Sequence, residues 1–141
     1  MKIAFYKGTR KGLQGIYSRL ARWVDSGPYS HCELVFNDGL SASASFIDGG
    51  VRFKHIDYKE DNWDVVELQG FDEDKARQWF EDHEGEKYDL LGNLRFIFFF
   101  VKPSNNKWFC SEAIAEALII SESWRLGPNG IYALMTSKGK L

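Results

Sequence analysis

Cysteine is scarce in this chain: Cys32 and Cys110 are the only two cysteines among 141 residues. Two cysteines are too few for the disulfide framework of a small secreted domain, and they are too few for a zinc site built from thiolates. The sequence leaves open whether the two residues pair in one disulfide. Each of them is otherwise a free thiol.

Long hydrophobic runs are missing as well. The most apolar run, residues 96–101, is six residues long, and extending it back to Leu90 brings in Asn93 and Arg95. A membrane-spanning helix needs about 20 apolar residues, so we expect no integral membrane segment. Because no apolar region of a signal peptide follows Met1, we expect synthesis in the cytoplasm, with delivery by lysis, a phage particle or a secretion apparatus as open alternatives.

The chain also lacks an excess of positive charge. Its net charge is −2 and its pI is about 5.9. Phosphate binding needs a basic surface, so we expect no nucleic-acid partner. The H-E-x-x-H, C-x-x-C, Walker A and Rossmann glycine patterns are all missing. His31, Cys32 and Glu33 are consecutive, but neighbouring strand residues point to opposite faces and do not converge on one ion. We therefore expect neither a metal nor an organic cofactor.

Strand and helix patterns occupy separate blocks of the sequence. Strand patterns cover residues 2–6, 31–36, 40–46, 51–53 and 63–68. Helical spacing covers residues 13–24, 72–85, 88–100, 109–120 and 128–134. Short turns between the strands favour antiparallel pairing. The sequence thus predicts one α+β domain over residues 1–141, in which a small antiparallel sheet of four or five strands packs against helices.

The first candidate for chemistry is Cys110, which follows a polar loop and lies near the start of the predicted helix 109–120. Unpaired backbone N–H groups and the helix dipole stabilise a thiolate at such a position. Cys110 is therefore a candidate nucleophile. The alternative is a small buried apolar residue, which is the commoner fate of a free cysteine.

The second candidate is His31, the first residue of the predicted strand 31–36. Glu33 lies on the same face, with its Cα about 6.5–7 Å away at strand spacing. A carboxylate at that distance can fix the tautomer of a histidine that acts as base for a thiol. The alternatives are a structural histidine and a solvated glutamate. Cys32 faces the other side of the strand, so we expect it to be a packing residue.

Two serines of the next predicted strand offer another orienting group. Ser43 and Ser45 alternate along residues 40–46 and therefore share one face. Either hydroxyl is an alternative to Glu33 as the partner of His31, and both are candidates for lining a substrate pocket. A neutral serine stabilises an imidazolium less well than a carboxylate does.

The segments around these residues resemble a known family. They are Ser30-His31-Cys32-Glu33, Asp48-Gly49-Gly50-Val51-Arg52, Tyr88-Asp89-Leu90-Leu91-Gly92 and Trp108-Phe109-Cys110-Ser111-Glu112. In this order, and over nearly its whole length, the chain resembles the circularly permuted NlpC/P60 papain-like enzymes, which include the YiiX-type amidases and peptidases. In that family the histidine strand precedes the cysteine helix, which is the reverse of the order in papain.

The resemblance implies a papain-like fold in which Cys110 is the nucleophile and His31 the base, with a variable third polar residue. It implies hydrolysis of an amide, peptide or ester bond through an acyl-thioester, with bacterial cell-wall peptide as the family's commonest target. Tyr6 and Tyr29 are candidate hydroxyl donors to the substrate. A thiol acyltransferase acting on a lipid or peptide and a non-catalytic papain-like binding module are the alternatives. The sequence fixes neither the substrate nor the oligomeric state.

Overall fold

Short stretches of β-branched, aromatic and small residues form the main strands. The computed structural model describes residues 1–9, 15, 19, 22, 27–89 and 107–137. The main strands are β1 (Lys2–Tyr6), β2 (His31–Val35), β3 (Ser41–Ser45), β4 (Gly50–Lys54) and β5 (Trp63–Glu67). Each end lies within one residue of its predicted position. Gly39, in the turn between β2 and β3, has a φ of 86°, which glycine adopts without strain.

The described strands form one open sheet in the order β5-β1-β2-β3-β4-β6-β7. Strands β6 (Lys87–Tyr88) and β7 (Lys107–Trp108) have two residues each and pair in parallel, whereas the other pairings are antiparallel. The predicted helix over 88–100 is wrong at its first residue, because Tyr88 ends β6 and pairs with Trp108. The remainder of that helix from residue 90 onward, and nearly all of the predicted helix over 13–24, lie outside the described residues.

Three α-helices are described: α1 (Glu73–His83), α2 (Cys110–Ala117) and α3 (Pro128–Ser137). Asp72 caps the start of α1, because its carboxylate accepts the Lys75 N–H at 3.1 Å. Helix α2 ends before its predicted end, and Ile119 just beyond it has a φ of 57°. The mostly antiparallel sheet and the separate helices confirm the α+β class.

Helix α2 is the central helix of the described structure. Seven of its eight residues are buried, so neighbouring elements enclose it on nearly all sides. It packs across β2 and β3 and also contacts α1 and α3. Small side chains, among them Ala42 and Ala44 of β3 and Ala113 of α2, belong to this core and allow the helix to approach the sheet closely.

The two faces of β2 have different surroundings. Cys32 and Leu34 belong to the core that includes α2. Val35 belongs to a smaller apolar cluster on the opposite face, together with Ala4 and Trp63. Because strand residues alternate, Glu33 also points away from α2. The sheet therefore separates Glu33 from the helix that carries Cys110.

Candidate active site

Cys110 is the first residue of α2, as predicted from the sequence. The preceding residue, Phe109, has extended backbone angles and provides no side-chain cap. The first bond of the helix runs from the Ala113 N–H to the Phe109 carbonyl at 3.0 Å. The N–H groups of residues 110–112 precede that bond and have no partner within the helix. These groups and the helix dipole favour a negative charge at Cys110.

His31 and Glu33 are in direct contact on β2. The distance from His31 Nε2 to Glu33 Oε1 is 2.7 Å. The Glu33 side chain is 1% exposed and the His31 side chain 17%, so little water competes for this contact. Trp63 packs edge-on against the His31 ring, with 6.4 Å between the ring centroids. The contact with Glu33 occupies Nε2 and leaves Nδ1 for a second partner.

The Cys110 thiol and the His31 ring are neighbours that each shift the pKa of the other. Burial lowers the pKa of His31, but the charge of Cys110 and hydrogen bonds with Cys110 and Glu33 outweigh burial and raise that pKa to about 9. Hydrogen bonds from Cys32 and the charge of His31 together hold the pKa of the Cys110 thiol well below its ordinary value, although burial opposes them. Each residue therefore favours the charged form of the other, which is a thiolate beside an imidazolium.

Cys32 contributes more than the packing that the sequence suggested. It is fully buried in the core, and hydrogen bonding from its thiol and its backbone N–H lowers the pKa of the Cys110 thiol. The paired residues of β2 and β3 end at Leu34 and Ala42. Hydrogen-bonded pairs alternate along an antiparallel ladder, so the next bonds would fall on Cys32. Instead, the Ser43 hydroxyl donates to the Cys32 carbonyl at 2.7 Å, which leaves the Cys32 N–H able to act on the Cys110 thiol.

Arg52 is the part of the site that sequence reasoning missed. Its Nη1 lies 2.7 Å from Glu33 Oε2, and its Nη2 lies 2.5 Å from Glu33 Oε1. Burial raises the pKa of Glu33, but hydrogen bonds from Arg52 and His31 outweigh burial and hold it below its ordinary range. Glu33 is therefore a carboxylate at neutral pH. The hairpin turn at residues 48–50 could have placed Arg52 opposite Ser43, and the register of β3 and β4 pairs these two residues.

The predicted serines lie near the site but have other partners. Ser43 is fully buried and donates to the backbone of Cys32 rather than to His31. Ser45 accepts a hydrogen bond from the Asp48 N–H at 3.4 Å. Among the candidates for the third residue, Glu33 is thus the one that contacts the imidazole.

The two predicted tyrosines are placed differently. The Tyr29 hydroxyl donates to Asp64 at 2.7 Å, and burial together with that carboxylate raises the pKa of Tyr29. Its hydroxyl is therefore committed to a structural contact. Tyr6 lies opposite His31 in the β1–β2 register and packs against Trp63, with 4.9 Å between the ring centroids.

A cavity of about 300 Å³ lies against the Glu33 face of the sheet. Its lining combines ionisable, small polar and apolar side chains: Glu33, Ser45, Ile47, Asp48, Arg52, Lys54, His55, Ile56, Asp57 and Trp63. Ser45 lines this cavity, whereas Ser43 does not. Glu33 connects the cavity to the site, because it contacts both the cavity and His31.

Comparison with known proteins adds no relative. No protein-family model matches the chain, and no curated protein is similar to it in sequence. Within the described residues, no helix has the length and apolar character needed to cross a membrane. The same residues contain no group of three or more metal-ligating side chains placed to hold an ion.

Proposed function

We propose that this protein is a cysteine hydrolase that cleaves an amide or peptide bond. The observation that carries the proposal is the row of Cys110, His31 and Glu33, in which His31 contacts Glu33 at 2.7 Å and lowers the pKa of the Cys110 thiol at the first turn of a buried helix. A nucleophile, a base and a group that orients the base are the three parts of nucleophilic amide hydrolysis. The row fits the permuted NlpC/P60 papain-like fold, which we propose as the family.

The mechanism follows from the positions of these groups. The Cys110 thiolate attacks the substrate carbonyl carbon, and the carbonyl oxygen becomes an oxyanion. Backbone N–H groups at the start of α2 stabilise the oxyanion, an effect of about 3 kcal/mol per donor in comparable sites. Protonated His31 gives its proton to the leaving amine, and an acyl-thioester remains on Cys110. His31 then takes a proton from water, and the resulting hydroxide releases the acid and restores the thiol site.

The cavity beside Glu33 is lined mostly by ionisable or polar side chains, among them Lys54, His55 and Asp57, but neither Cys110 nor His31 lines it. The choice of substrate therefore rests on the catalytic row rather than on this cavity. A thiol with a base and an orienting carboxylate is suited to attack on an amide carbonyl. We therefore propose a peptide or acyl-amide as substrate.

One observation favours a second candidate function, a papain-like binding module without catalysis. Cys110 is only 3% exposed. A nucleophile must reach the carbonyl of its substrate, so a permanently covered thiol would leave the fold as a scaffold for binding. The reactivity of the thiol in the folded protein distinguishes the two functions.

The experiment is alkylation with iodoacetamide across a pH series, with mass spectrometry to locate the adduct. The proposal predicts selective alkylation of Cys110 at neutral or mildly acidic pH, and a much slower reaction in His31→Ala. Cys110→Ala serves as the control for the site of labelling. A Cys110 that reacts only after unfolding, or equally well without His31, would contradict the hydrolase and leave the binding module.

A further inference from the structure

Arg52 and Glu33 lie in one row across three strands. The register of β3 and β4 pairs Ser43 with Arg52. Continuing the β2–β3 register beyond Leu34 and Ala42 places Ser43 beside Glu33. Adjacent strands are about 4.8 Å apart, so the Arg52 side chain crosses a whole strand to reach Glu33. It can do so because the residue between them, Ser43, has a small side chain.

Arg52 is itself held in place from the other side. Its Nε lies 2.8 Å from Asp48 Oδ2, and Lys54 Nζ lies 3.1 Å from the other oxygen of Asp48. The Arg52 side chain is 14% exposed. Its planar fork is thus fixed at three nitrogens, with two of them on the oxygens of Glu33. A guanidinium bound in this way holds a carboxylate in one position and one orientation.

We propose that Arg52 is a positioning residue of the thiol site, which fixes the Glu33 carboxylate against His31 and thereby keeps the imidazolium directed at Cys110. This inference rests on the proposed function, because it assigns Arg52 a part in activating the same thiol. Arg52 touches neither the sulfur nor the position of the substrate carbonyl. It acts through Glu33.

The charges around the site give the direction of the effect. The groups around Glu33 and its partners include His31, Arg52 and Lys54 as cations, Cys110 and Asp48 as anions, and Tyr58 as a neutral phenol. His55 and Asp57 line the cavity beside them. Loss of Arg52 removes one cation from beside the three anions Glu33, Asp48 and Cys110, which favours the uptake of a proton. Cys110 has the highest ordinary pKa of the three anions and takes up that proton.

The test compares the pH dependence of Cys110 alkylation in four variants: Arg52→Met, Arg52→Lys, Glu33→Gln and the double variant Arg52→Met with Glu33→Gln. Arg77→Met is the matched control, because Arg77 also pairs with an aspartate, Asp38, at 2.8 Å but lies on α1. Circular dichroism checks that each variant is folded. The measured quantity is the pH at which the alkylation rate is half its maximum.

We expect Arg52→Met to raise that midpoint by roughly one pH unit or more, the usual effect of losing a nearby opposite charge. Arg52→Lys should raise it less, since the charge returns but one ammonium cannot hold both oxygens. In the Glu33→Gln background, Arg52→Met should have a clearly smaller effect. If Arg52→Met does not fold, the same comparison is made with Arg52→Lys in the two backgrounds, where the shift should again shrink.

Two results would overturn the inference. One is that folded Arg52→Met has the same pH midpoint as wild type. The other is that Arg52→Met shifts the midpoint equally in the wild-type and Glu33→Gln backgrounds. Both leave the proposed function intact, provided that Cys110 still depends on His31. If wild-type Cys110 instead reacts only at the pH of an ordinary thiol, the proposed function itself fails. The two failures are therefore distinguishable.

Discussion

Replacing Glu33 with glutamine removes one buried charge and leaves the shape of the side chain nearly unchanged. Glu33 is 1% exposed and accepts two hydrogen bonds from Arg52, at 2.7 and 2.5 Å, besides its contact with His31. Glutamine keeps one carbonyl oxygen as an acceptor. Its NH₂ group, however, cannot accept a hydrogen bond from the guanidinium of Arg52. Arg52 then has Asp48 as its remaining carboxylate partner.

The expected loss of stability follows from the burial of the ion pair between Glu33 and Arg52. Removing one partner of a buried ion pair typically lowers the free energy of unfolding by about 3–5 kcal/mol. Because glutamine retains an acceptor and Arg52 retains Asp48, we expect the lower end, about 3 kcal/mol. For a domain of this size each kcal/mol lowers Tm by about 2–4 °C, so Glu33→Gln should lower Tm by about 6–12 °C.

The pH dependence of this loss identifies its cause. Burial raises the pKa of Glu33, but hydrogen bonds from Arg52 and His31 hold it below its ordinary value. A carboxylate with a depressed pKa stabilises the fold above its unfolded value, about 4.3, and loses that contribution as pH falls through the folded value. The free energy of unfolding of wild type should thus exceed that of Glu33→Gln most at pH 6. This difference should shrink below about pH 4.

Urea unfolding at pH 6 and at pH 3.5 measures both effects. The control is Glu67→Gln, because Glu67 pairs with Lys2 at 3.0 Å but is 64% exposed, and such surface pairs contribute at most about 1 kcal/mol. Equal free energies of unfolding for wild type and Glu33→Gln at pH 6 would refute the reasoning. So would a difference between them that stays the same at pH 3.5.

Three further predictions concern the neighbours of the site. Cys32→Ala removes the thiol that hydrogen-bonds to Cys110 and should raise the pKa of Cys110, measured as a higher pH midpoint of iodoacetamide alkylation; an unchanged midpoint would contradict the contact. Ser43→Leu should block the path of Arg52 and raise the same midpoint, whereas Ser43→Ala should leave that path open. Asp72→Ala removes the cap of α1 and should lower the free energy of unfolding by about 1 kcal/mol in urea, with no change in Cys110 alkylation.

Much of the sheet could be predicted because its strands follow local rules. Alternating side chains and turn residues define β1 to β5 to within one residue at each end. Strands β6 and β7 could not be predicted, since two residues carry no periodicity. Tyr88 illustrates the reason: its strand conformation depends on pairing with Trp108, about twenty residues away in the chain. The strand propensity of a residue contains no information about such a distant pairing partner.

The candidate site divides in the same way. The contact of His31 with Glu33 could be predicted, because strand spacing alone brings an i, i+2 pair together. The start of α2 at Cys110 could also be predicted from local signals. The roles of Arg52 and Cys32 could not, because both depend on how three strands and a helix are arranged. Arg52 reaches Glu33 across β3, and the backbone N–H of Cys32 acts on Cys110 because the β2–β3 ladder opens there.

That opening connects the fold to the chemistry of the thiol. An unbroken ladder would use the Cys32 N–H between the strands and would withdraw that donor from the sulfur. The stabilising groups of Cys110 thus come from three sources: the opened strand, the imidazolium of His31 and the start of α2. All three sources act on the negative charge of the Cys110 sulfur, so the loss of one leaves the other two in place. Single substitutions at Cys32 or Arg52 should therefore shift the pH range of thiol reactivity, and only His31→Ala should remove the base itself.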